Sequence, residues 1–326
     1  MLEGKQLILA TRPFANEDRK RSWTYTLTTL FLLAAAFFGA FYPFHIGIRI
    51  GCSIIEALLL ARMFVIYHDY LHRAILRRSI AANLIFTFFG FYMLTPRSIW
   101  KRSHDYHHKH NSKLFTSSIG SFPIVTKEKF KRMSKAQRTN YLFIRHPLTI
   151  AFGYIFAFTW GMSILSMLRS PTKHWDSALA LIFHYGLIIT LGLLFGWTTA
   201  FLSILIPVAL AHGLGSYLFY VQHNFPTATF EEKEGWTYIG AAMNSTSFLK
   251  MSRLMHWFTA NIGYHHIHHA NSRIPFYRLP EAFKAMPEFQ NPKTSTLMPM
   301  DIIRCLRLKV WDPEAKRMLR LKEIKT

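Results

Sequence analysis

The chain has 326 residues, of which 51% are hydrophobic and 16% aromatic, and its formal net charge is +22 at pH 7. The apolar residues come in long blocks separated by charged stretches, which is typical of an integral membrane protein and argues against a soluble one. The basic residues flank these blocks and form no continuous stripe, so the charge indicates juxtamembrane anchoring and argues against nucleic-acid binding. The two cysteines, Cys52 and Cys305, are too far apart in sequence to form a recognisable motif, which argues against a disulfide framework.

The first two apolar blocks, residues 25–44 and 46–67, predict a hairpin of transmembrane helices. A helix needs about 20 apolar residues to cross about 30 Å of hydrocarbon, and both blocks reach that length. The uncharged turn "YPFH" joins them, so the basic ends of the hairpin stay on one side of the membrane. The positive-inside rule makes that side the cytoplasm.

The third apolar block, residues 80–95, is short and has arginines on both sides. As a helix its roughly sixteen residues span about 24 Å, less than the hydrocarbon thickness. The flanking residues are Arg77, Arg78 and Arg97. We therefore expect an interfacial or re-entrant helix and not a crossing.

The remaining apolar blocks predict one further hairpin. Block 148–168 is long enough to cross, but the linker after it carries Arg169 and Lys173, whereas the break between blocks 178–196 and 199–221 is uncharged. The charge bias keeps that linker in the cytoplasm and makes the last two blocks the hairpin. The prediction is an all-α integral membrane protein with four transmembrane helices plus re-entrant or interfacial helices. The alternative is six crossings.

The whole chain is expected to form a single domain. Its predicted parts are a cytoplasmic N-terminal segment (1–23), the first hairpin (24–67), a cytoplasmic segment (68–147), the membrane segments (148–221) and a histidine-rich cytoplasmic cap (222–326).

Histidine occurs 17 times, and the positions of nine histidines are informative. They fall in the stretches "YHDYLHR", "SHDYHHKHN", "VQHN" and "NIGYHHIHHANSRIP", all at the predicted cytoplasmic ends of helices. The nine are His68, His72, His104, His107, His108, His223, His265, His268 and His269.

The spacing of these histidines predicts metal binding. Residues three and four apart share one face of a helix, so two of their rings can point at one ion. Adjacent members such as His107 and His108 diverge by about 100°, so they are expected to serve two neighbouring ions. Imidazole suits zinc, copper, iron and nickel, and nine imidazoles exceed what one four-coordinate zinc requires.

The three boxes, of the forms H-x-x-x-H, H-x-x-H-H and H-x-x-H-H, resemble those of membrane fatty acid desaturases, and most closely those of bacterial acyl-lipid desaturases. The stretches "FYVQHNFPTATF" and "HWFTANIGYHHIHHANSRIPFYRLPEAF" are similar to that family's C-terminal signature. The resemblance covers roughly residues 55–285. It implies two non-haem irons as cofactors, held by the nine histidines, with no catalytic residue beyond these ligands.

The resemblance also implies a function. Reduced iron would activate O2 to remove two hydrogens from neighbouring methylenes of an acyl chain in the bilayer. The stretch "RHPLT" at His146 lacks the glycines of a fused haem domain, so a separate electron donor, a ferredoxin or a cytochrome b5-like protein, is expected. The expected location is a bacterial inner membrane with the active site facing the cytoplasm.

The sequence also predicts roles for residues near the histidine boxes. Asp69 and Asp105 follow first-position histidines and either orient imidazoles or are ordinary helix-end acids. His266 and His110 lie off the ligand pattern and are expected to support ligands or face solvent. Related acyl-CoA desaturases have a water-binding asparagine where this chain has Phe219, so no such ligand is carried over.

His212 and the aromatic residues of the predicted spans are expected to have structural roles. His212 lies in the last span and is expected to pack against a backbone carbonyl. The aromatic residues, including Trp100, are expected to fill the spans and mark their interfaces.

Other functions stay open at the level of sequence. Hydroxylation, or oxidation of carotenoids or other lipids, requires only a different position of the substrate on the same scaffold. A metal transporter should carry ionisable residues midway through several spans, whereas here they cluster at one face. A zinc hydrolase usually adds an acid within its histidine motif, and no "HExxH" occurs.

Overall fold

The computed structural model describes residues 2–116 and 119–324. Within these residues the fold is mostly helical. The α-helices are, in chain order, α1 (Gly4–Ala10), α2 (Arg19–Phe41), α3 (Ile46–Leu71), α4 (Ile80–Tyr92), α5 (Arg97–His110), α6 (Lys127–Arg132), α7 (Lys135–Ile144), α8 (Pro147–Ala151), α9 (Leu165–Arg169), α10 (Trp175–Phe195), α11 (Trp197–Ala200), α12 (Ile206–His223), α13 (Tyr238–Asn244), α14 (Arg253–Phe258), α15 (His265–Ala270), α16 (Leu279–Ala285) and α17 (Pro299–Arg307).

The other regular elements are short. Four strands form two small sheets: β1 (Phe248–Lys250) pairs in parallel with β2 (Thr294–Thr296), and β3 (Leu308–Asp312) pairs antiparallel with β4 (Arg317–Arg320). The remaining turns are π-helical at Tyr154–Ile164 and Phe201–Leu205 and 3₁₀-helical at Arg12–Ala15, Phe276–Arg278, Pro287–Phe289 and Leu321–Glu323.

Four helices of the described chain are long and apolar enough to cross a membrane: α2, α3, α10 and the continuous helix Trp197–His223, which combines α11, the π-helical turn and α12. This agrees with the predicted four-span arrangement of an all-α membrane protein. The third and fourth spans begin and end within a few residues of the predicted blocks. Block 148–168 is divided among α8, a π-helical stretch and α9 and is not one long helix.

The two hairpins pack against each other at the ends remote from the histidines. Gly39 on α2 allows close approach to α3, because a Cβ there would lie 2.4 Å from Cys52 Sγ. Arg49 on α3 donates to the Ala40 carbonyl at 2.9 Å and to Thr199 Oγ1 at 3.0 Å. The buried guanidinium therefore ties both hairpins together at this end.

Helix α4 has the expected interfacial character. Its 13 residues span about 20 Å, too short to cross. Ser79 caps its start by accepting from the Ala82 amide at 3.2 Å. One face is buried and includes Ala82 and Phe86, while Leu84 and Phe88 on the other face are exposed. A helix that is apolar on both faces lies between protein and lipid.

The cap is attached to the last spanning helix through Arg145, which is completely buried. Its guanidinium donates to the Pro123 carbonyl at 2.7 Å, to Asn224 Oδ1 at 2.5 Å and to the Leu308 carbonyl at 3.2 Å. These acceptors lie before α6, just after α12 and at the start of β3. One side chain therefore joins three segments that are distant in sequence.

Replacing this side chain should loosen the cap. We expect Arg145→Ala to destabilise the protein by about 3 kcal/mol or more, because it leaves buried oxygens without a donor. In a thermal scan of the detergent-solubilised protein, that change lowers the apparent melting temperature by about 5 °C or more. The exposed Arg132→Ala serves as the matched control. An Arg145→Ala protein as stable as the control would contradict this role.

Candidate metal centre

Four elements bring the nine predicted histidines together. His68 lies in the last turn of α3 and His72 caps its end. Helix α5 contributes the second box, the end of α12 contributes His223, and α15 contributes the third box. Because α3 and α12 end on the same side of the fold, the short helices α5 and α15 need only cover that end.

The nine imidazoles divide into two sets, within each of which the ligand-capable atoms lie within 4.8 Å of one another. One set has five members: His68, His72, His104, His108 and His268. The other has four: His107, His223, His265 and His269. The neighbours His107 and His108 are in different sets, as their angular separation on the helix predicts, and so are His268 and His269.

The spacing of the ring nitrogens fits ligands of a shared ion. In the first set, His104 Nε2 lies 2.9 Å from His68 Nε2 and 3.0 Å from His108 Nε2. In the second, His223 Nε2 lies 3.1 Å from His107 Nε2 and 2.9 Å from His265 Nε2. Nitrogens about 2.1 Å from an ion are about 3.0 Å apart at right angles and about 3.4 Å apart in a tetrahedron. The observed edges match the right-angled arrangement.

Six ring nitrogens of the two sets are buried and have no hydrogen-bond partner among the described residues; four are Nδ1 atoms, and the other two are Nε2 atoms. The two Nε2 atoms belong to His72 in the first set and His269 in the second. A buried polar nitrogen without a partner is costly. A cation shared by each set would satisfy both Nε2 atoms, so the residues present fit a metal.

The sets are adjacent. The rings of His108 and His269 stack with their centroids 4.2 Å apart and their planes 14° apart, although the two residues belong to different sets. His107 and His108, also from different sets, have centroids 5.7 Å apart. The two sets therefore adjoin and form one candidate metal centre.

Burial favours the neutral form of seven of these imidazoles. It lowers the pKa of His107 to about 3, with the charge of His68 as a smaller cause. Burial first, and neighbouring histidines second, also hold the pKa well below 6.5 at His72, His104, His108, His265, His268 and His269. A neutral imidazole is the form that binds a metal, so the environment prepares the ligands.

The loop before α15 has a backbone that places the third box. Ala260 and Asn261 adopt left-handed conformations, with φ of 43° and 59°. Gly263 lies against β1 so closely that a Cβ would be 2.6 Å from the Leu249 carbonyl oxygen. Asn261 Nδ2 donates to the Phe276 carbonyl at 3.2 Å. These contacts fix where the short helix begins.

Asp69 orients a predicted ligand and Asp105 does not. The His68 Nδ1–H donates to Asp69 Oδ1 at 3.0 Å, and the Phe276 amide donates to Asp69 Oδ2 at 2.6 Å. Asp105 instead pairs with Lys101 one turn away on α5. Of the two alternatives in the sequence, Asp69 takes the orienting role and Asp105 is an ordinary helix acid.

The remaining predicted neighbours lie outside the two sets. The His266 Nε2–H donates to the Phe289 carbonyl at 3.2 Å, and the His110 ring stacks on Tyr106. The His212 Nε2–H donates to the Met93 carbonyl at 2.9 Å, as expected from its position inside a span. Phe219 lies against the second set, with its ring centroid 4.9 Å from that of His107.

Sequence reasoning missed two residues that contact or position the centre. Trp100, expected at the membrane interface, is buried and stacks on His104 with centroids 4.4 Å apart. Gln222 donates to the Ile262 carbonyl at 2.9 Å and so joins the end of α12 to the loop of the third box. The spacing of Trp100 four residues before His104 was the available signal, because it puts both on one face of α5.

Two adjacent sets of imidazoles at the ends of four membrane-spanning helices form a candidate metal site of a membrane protein. The family model for fatty acid desaturases matches residues 48–298, a range that contains all nine histidines. The chain belongs to the fatty acid desaturase family, and it is a desaturase enzyme.

Individual relatives agree with this membership. The chain is 29% identical to the "Fatty acid desaturase" of Bacillus subtilis (strain 168), over 98% of this chain and 92% of the relative. It is 25% identical to the "sn-1 oleoyl-lipid 12-desaturase" of Synechocystis sp. (strain ATCC 27184 / PCC 6803 / Kazusa), over 88% of this chain and 82% of the relative. It is 24% identical to the "sn-1 acyl-lipid omega-3 desaturase (ferredoxin)" of Nostoc sp. (strain 36), over 69% and 63% respectively.

Neighbouring histidines of α15 provide a direct test of the two sets. We expect His268→Gln to lower the metal bound per chain by half or more, because His268 belongs to the first set. His266→Gln is the matched control, since His266 is equally buried on the same helix but donates to a backbone carbonyl. Metal is measured by elemental mass spectrometry on the purified proteins. Equal metal content in the two variants would contradict the assignment.

Asp69 and Asp105 each follow the first histidine of a box, and their carboxylates provide a second test. We expect Asp69→Asn to weaken metal binding by about 10- to 100-fold, because His68 loses the acceptor that orients its ring. Asp105→Asn removes a charge at the same box position on α5 and should change the affinity less than twofold. Metal affinity is measured by competition with a chelator. If both variants bind metal like the unchanged protein, Asp69 has no orienting role.

Proposed function

We propose that this desaturase uses two non-haem irons and O2 to introduce a double bond into an acyl chain of a membrane lipid. The observation that carries the proposal is the division of the nine histidines into two adjacent buried sets with nitrogen–nitrogen edges of 2.9–3.1 Å. The His268–His108 edge, at 3.1 Å, ties the third box to the second.

Iron is favoured over zinc by the donor set. Neither set contains a thiolate or carboxylate among the described residues, and imidazole suits iron as well as zinc. Zinc sites are usually four-coordinate and tetrahedral, which the five-membered set and its right-angled edges do not fit. Five and four imidazoles leave room for an oxygen ligand at each position.

When bound, the two irons supply the one-electron and O2 chemistry that no side chain provides. The chain's own residues bind and shield. Burial lowers the pKa of seven imidazoles and so favours their neutral form, and Asp69 orients the ring of His68. Trp100 on one side and Phe219 on the other present apolar surfaces to the sets, which keeps water from a reactive centre.

The acyl chain is expected to arrive from the bilayer. The relatives in Synechocystis and Nostoc are named for action on oleoyl-lipid and acyl-lipid, and the two sets lie at the ends of apolar spans. Tyr67, directly before His68, packs against Phe86 and Phe89 of α4, with centroids 6.0 and 5.7 Å away. This aromatic packing places α4, whose outer face is apolar and exposed, next to the residue that precedes the first histidine of the centre.

The electron donor is proposed to be an acidic ferredoxin that docks on the cytoplasmic side of a bacterial inner membrane; a cytochrome b5-like protein is the other donor to test. One relative is named with ferredoxin. On α5 the histidines face inward, while Arg102 and Lys109 are exposed on the outer face. A basic surface one helix away from the ligands suits an acidic partner.

The proposal is tested with the purified protein in phospholipid vesicles, supplied with ferrous iron, O2 and either reduced ferredoxin or reduced cytochrome b5. We expect acyl chains that are two hydrogens lighter, located by mass spectrometry with double-bond localisation. His107→Gln and His268→Gln, one from each set, should lower the rate by more than about 100-fold.

Control reactions and a control variant show whether the product depends on O2, iron and the predicted ligands. Omission of O2, or replacement of iron by zinc, should remove the product, while His266→Gln should keep it. Acyl chains one oxygen heavier would identify a hydroxylase and overturn desaturation. Product formed at an unchanged rate by His107→Gln and His268→Gln would overturn the ligand assignment.

A further inference from the structure

A basic pocket lies beside the first box, and the function proposed above does not use it. Its volume is about 570 Å³, and its lining includes five arginines from three separate parts of the chain. Arg73, Arg77 and Arg78 come from the loop after α3, Arg97 from the start of α5 and Arg273 from the loop after α15. No aspartate or glutamate is among the lining residues. We call this feature the arginine pocket.

The charges in the arginine pocket have no carboxylate partners within the described chain. None of the five guanidiniums has a carboxylate within 4.0 Å there, whereas Arg21 and Arg278 elsewhere on the same face both pair with Glu281. Five like charges around one cavity repel one another unless an anion enters. Glu17 accepts from the Leu76 amide of the loop and is not among the lining residues of the pocket.

The loop is built to present these side chains. Arg73, Leu76 and Arg78 have left-handed backbones, with φ of 59°, 50° and 60°. Such conformations are unfavourable for residues with a Cβ and persist where the surroundings impose them. Leu76 is buried as an anchor, and Arg19 donates to the Arg77 carbonyl at 3.1 Å. The fixed backbone leaves Arg73, Arg77 and Arg78 exposed around the cavity.

The pocket lies where the head of a lipid would be. Ile80 lines the pocket and begins α4, and Ile80, Leu84 and Phe88 form one exposed stripe along that helix, with exposed fractions of 81%, 54% and 56%. Helix α4 is apolar and too short to cross, so the stripe faces acyl chains. A lipid whose tail follows this stripe places its phosphate at the first turn of α4, among the arginines.

The pocket also connects to the metal centre. Tyr70 lines it and lies between His68 and His72 in sequence. The Tyr70 hydroxyl and the Arg97 guanidinium both donate to Asn83 Oδ1, at 3.2 and 3.1 Å. The Tyr70 ring stacks on Phe86 of α4. A phosphate held here is therefore fixed relative to the first histidine box.

We propose that the arginine pocket binds the phosphate of an anionic phospholipid taken from the bilayer, and that this headgroup positions the acyl chain for the metal centre. Only the second part, the positioning of the acyl chain for the metal centre, rests on the proposed function. Guanidinium groups match phosphate oxygens in geometry and charge. The lipid source is favoured over a soluble phosphate because the pocket continues into the apolar stripe of α4.

The test is a binding measurement that needs no turnover. Purified protein is titrated in nanodiscs with phosphatidylglycerol, and bound lipid is counted by native mass spectrometry. The test variant combines Arg77→Gln, Arg78→Gln and Arg273→Gln, whose side chains make no hydrogen bond of their own among the described residues. The control variant removes the same charge from the exposed residues Arg132, Arg307 and Lys316, each changed to Gln.

We expect the test variant to bind phosphatidylglycerol about tenfold more weakly and the control variant to stay within twofold of the unchanged protein. Diacylglycerol with the same tails should bind weakly to all three proteins. Equal losses in both variants would mean nonspecific charge attraction and would overturn the site. Displacement of the lipid by inorganic phosphate, or tighter binding of acyl coenzyme A, would overturn the lipid source.

Metal content and product formation, measured on the same samples, separate this proposal from the previous one. Selective loss of lipid binding with full metal content supports the pocket even if the unchanged protein forms no double bond. A working desaturase whose test variant binds phosphatidylglycerol like the control would overturn the pocket alone.

Discussion

A buried imidazole that lacks a partner is unfavourable, and the core of this protein places nine of them in contact. Burial lowers the pKa of seven of them and so disfavours the charged ring; a cation in each set would satisfy one nitrogen of every ring. The ligands come from α3, α5, α12 and α15, which span about two hundred residues of sequence. The rest of the fold brings those four segments to one place.

The supporting contacts are few and specific. Asp69 joins the first box to the loop after the third, because one oxygen accepts from His68 and the other from the Phe276 amide. Gln222 joins the end of α12 to the loop before the third box. Arg145 attaches β3 of the cap to that same helix end. Each contact pairs a buried polar side chain with a group from a distant segment, which fixes the positions of the elements that carry the histidines.

The four spans, and the position of the nine histidines at one end of them, can be predicted from the sequence. Charge bias and helical spacing are local patterns, and few arrangements of the helices are compatible with both. The division of His107 and His108 between two sets follows from the same geometry. The sequence places Trp100 at the interface because a tryptophan beside basic residues has the same pattern at a membrane surface and in a core. Gln222 and Arg145 have no periodic signal, since their partners are backbone carbonyls or residues distant in sequence. The limits of the domain stay a prediction.

The histidine sets and the arginine pocket are adjacent clusters of basic residues. Repulsion between like charges is avoided in a different way in each. Burial disfavours the protonated form of an imidazole, so the histidine sets suit a cation. A guanidinium keeps its proton at physiological pH, so the arginine pocket stays positive and suits an anion. Since Arg73 directly follows His72, a lipid phosphate and a metal ion would be held by adjacent residues of one loop. That proximity gives a fixed distance from headgroup to centre, from which a defined position of attack along the acyl chain would follow.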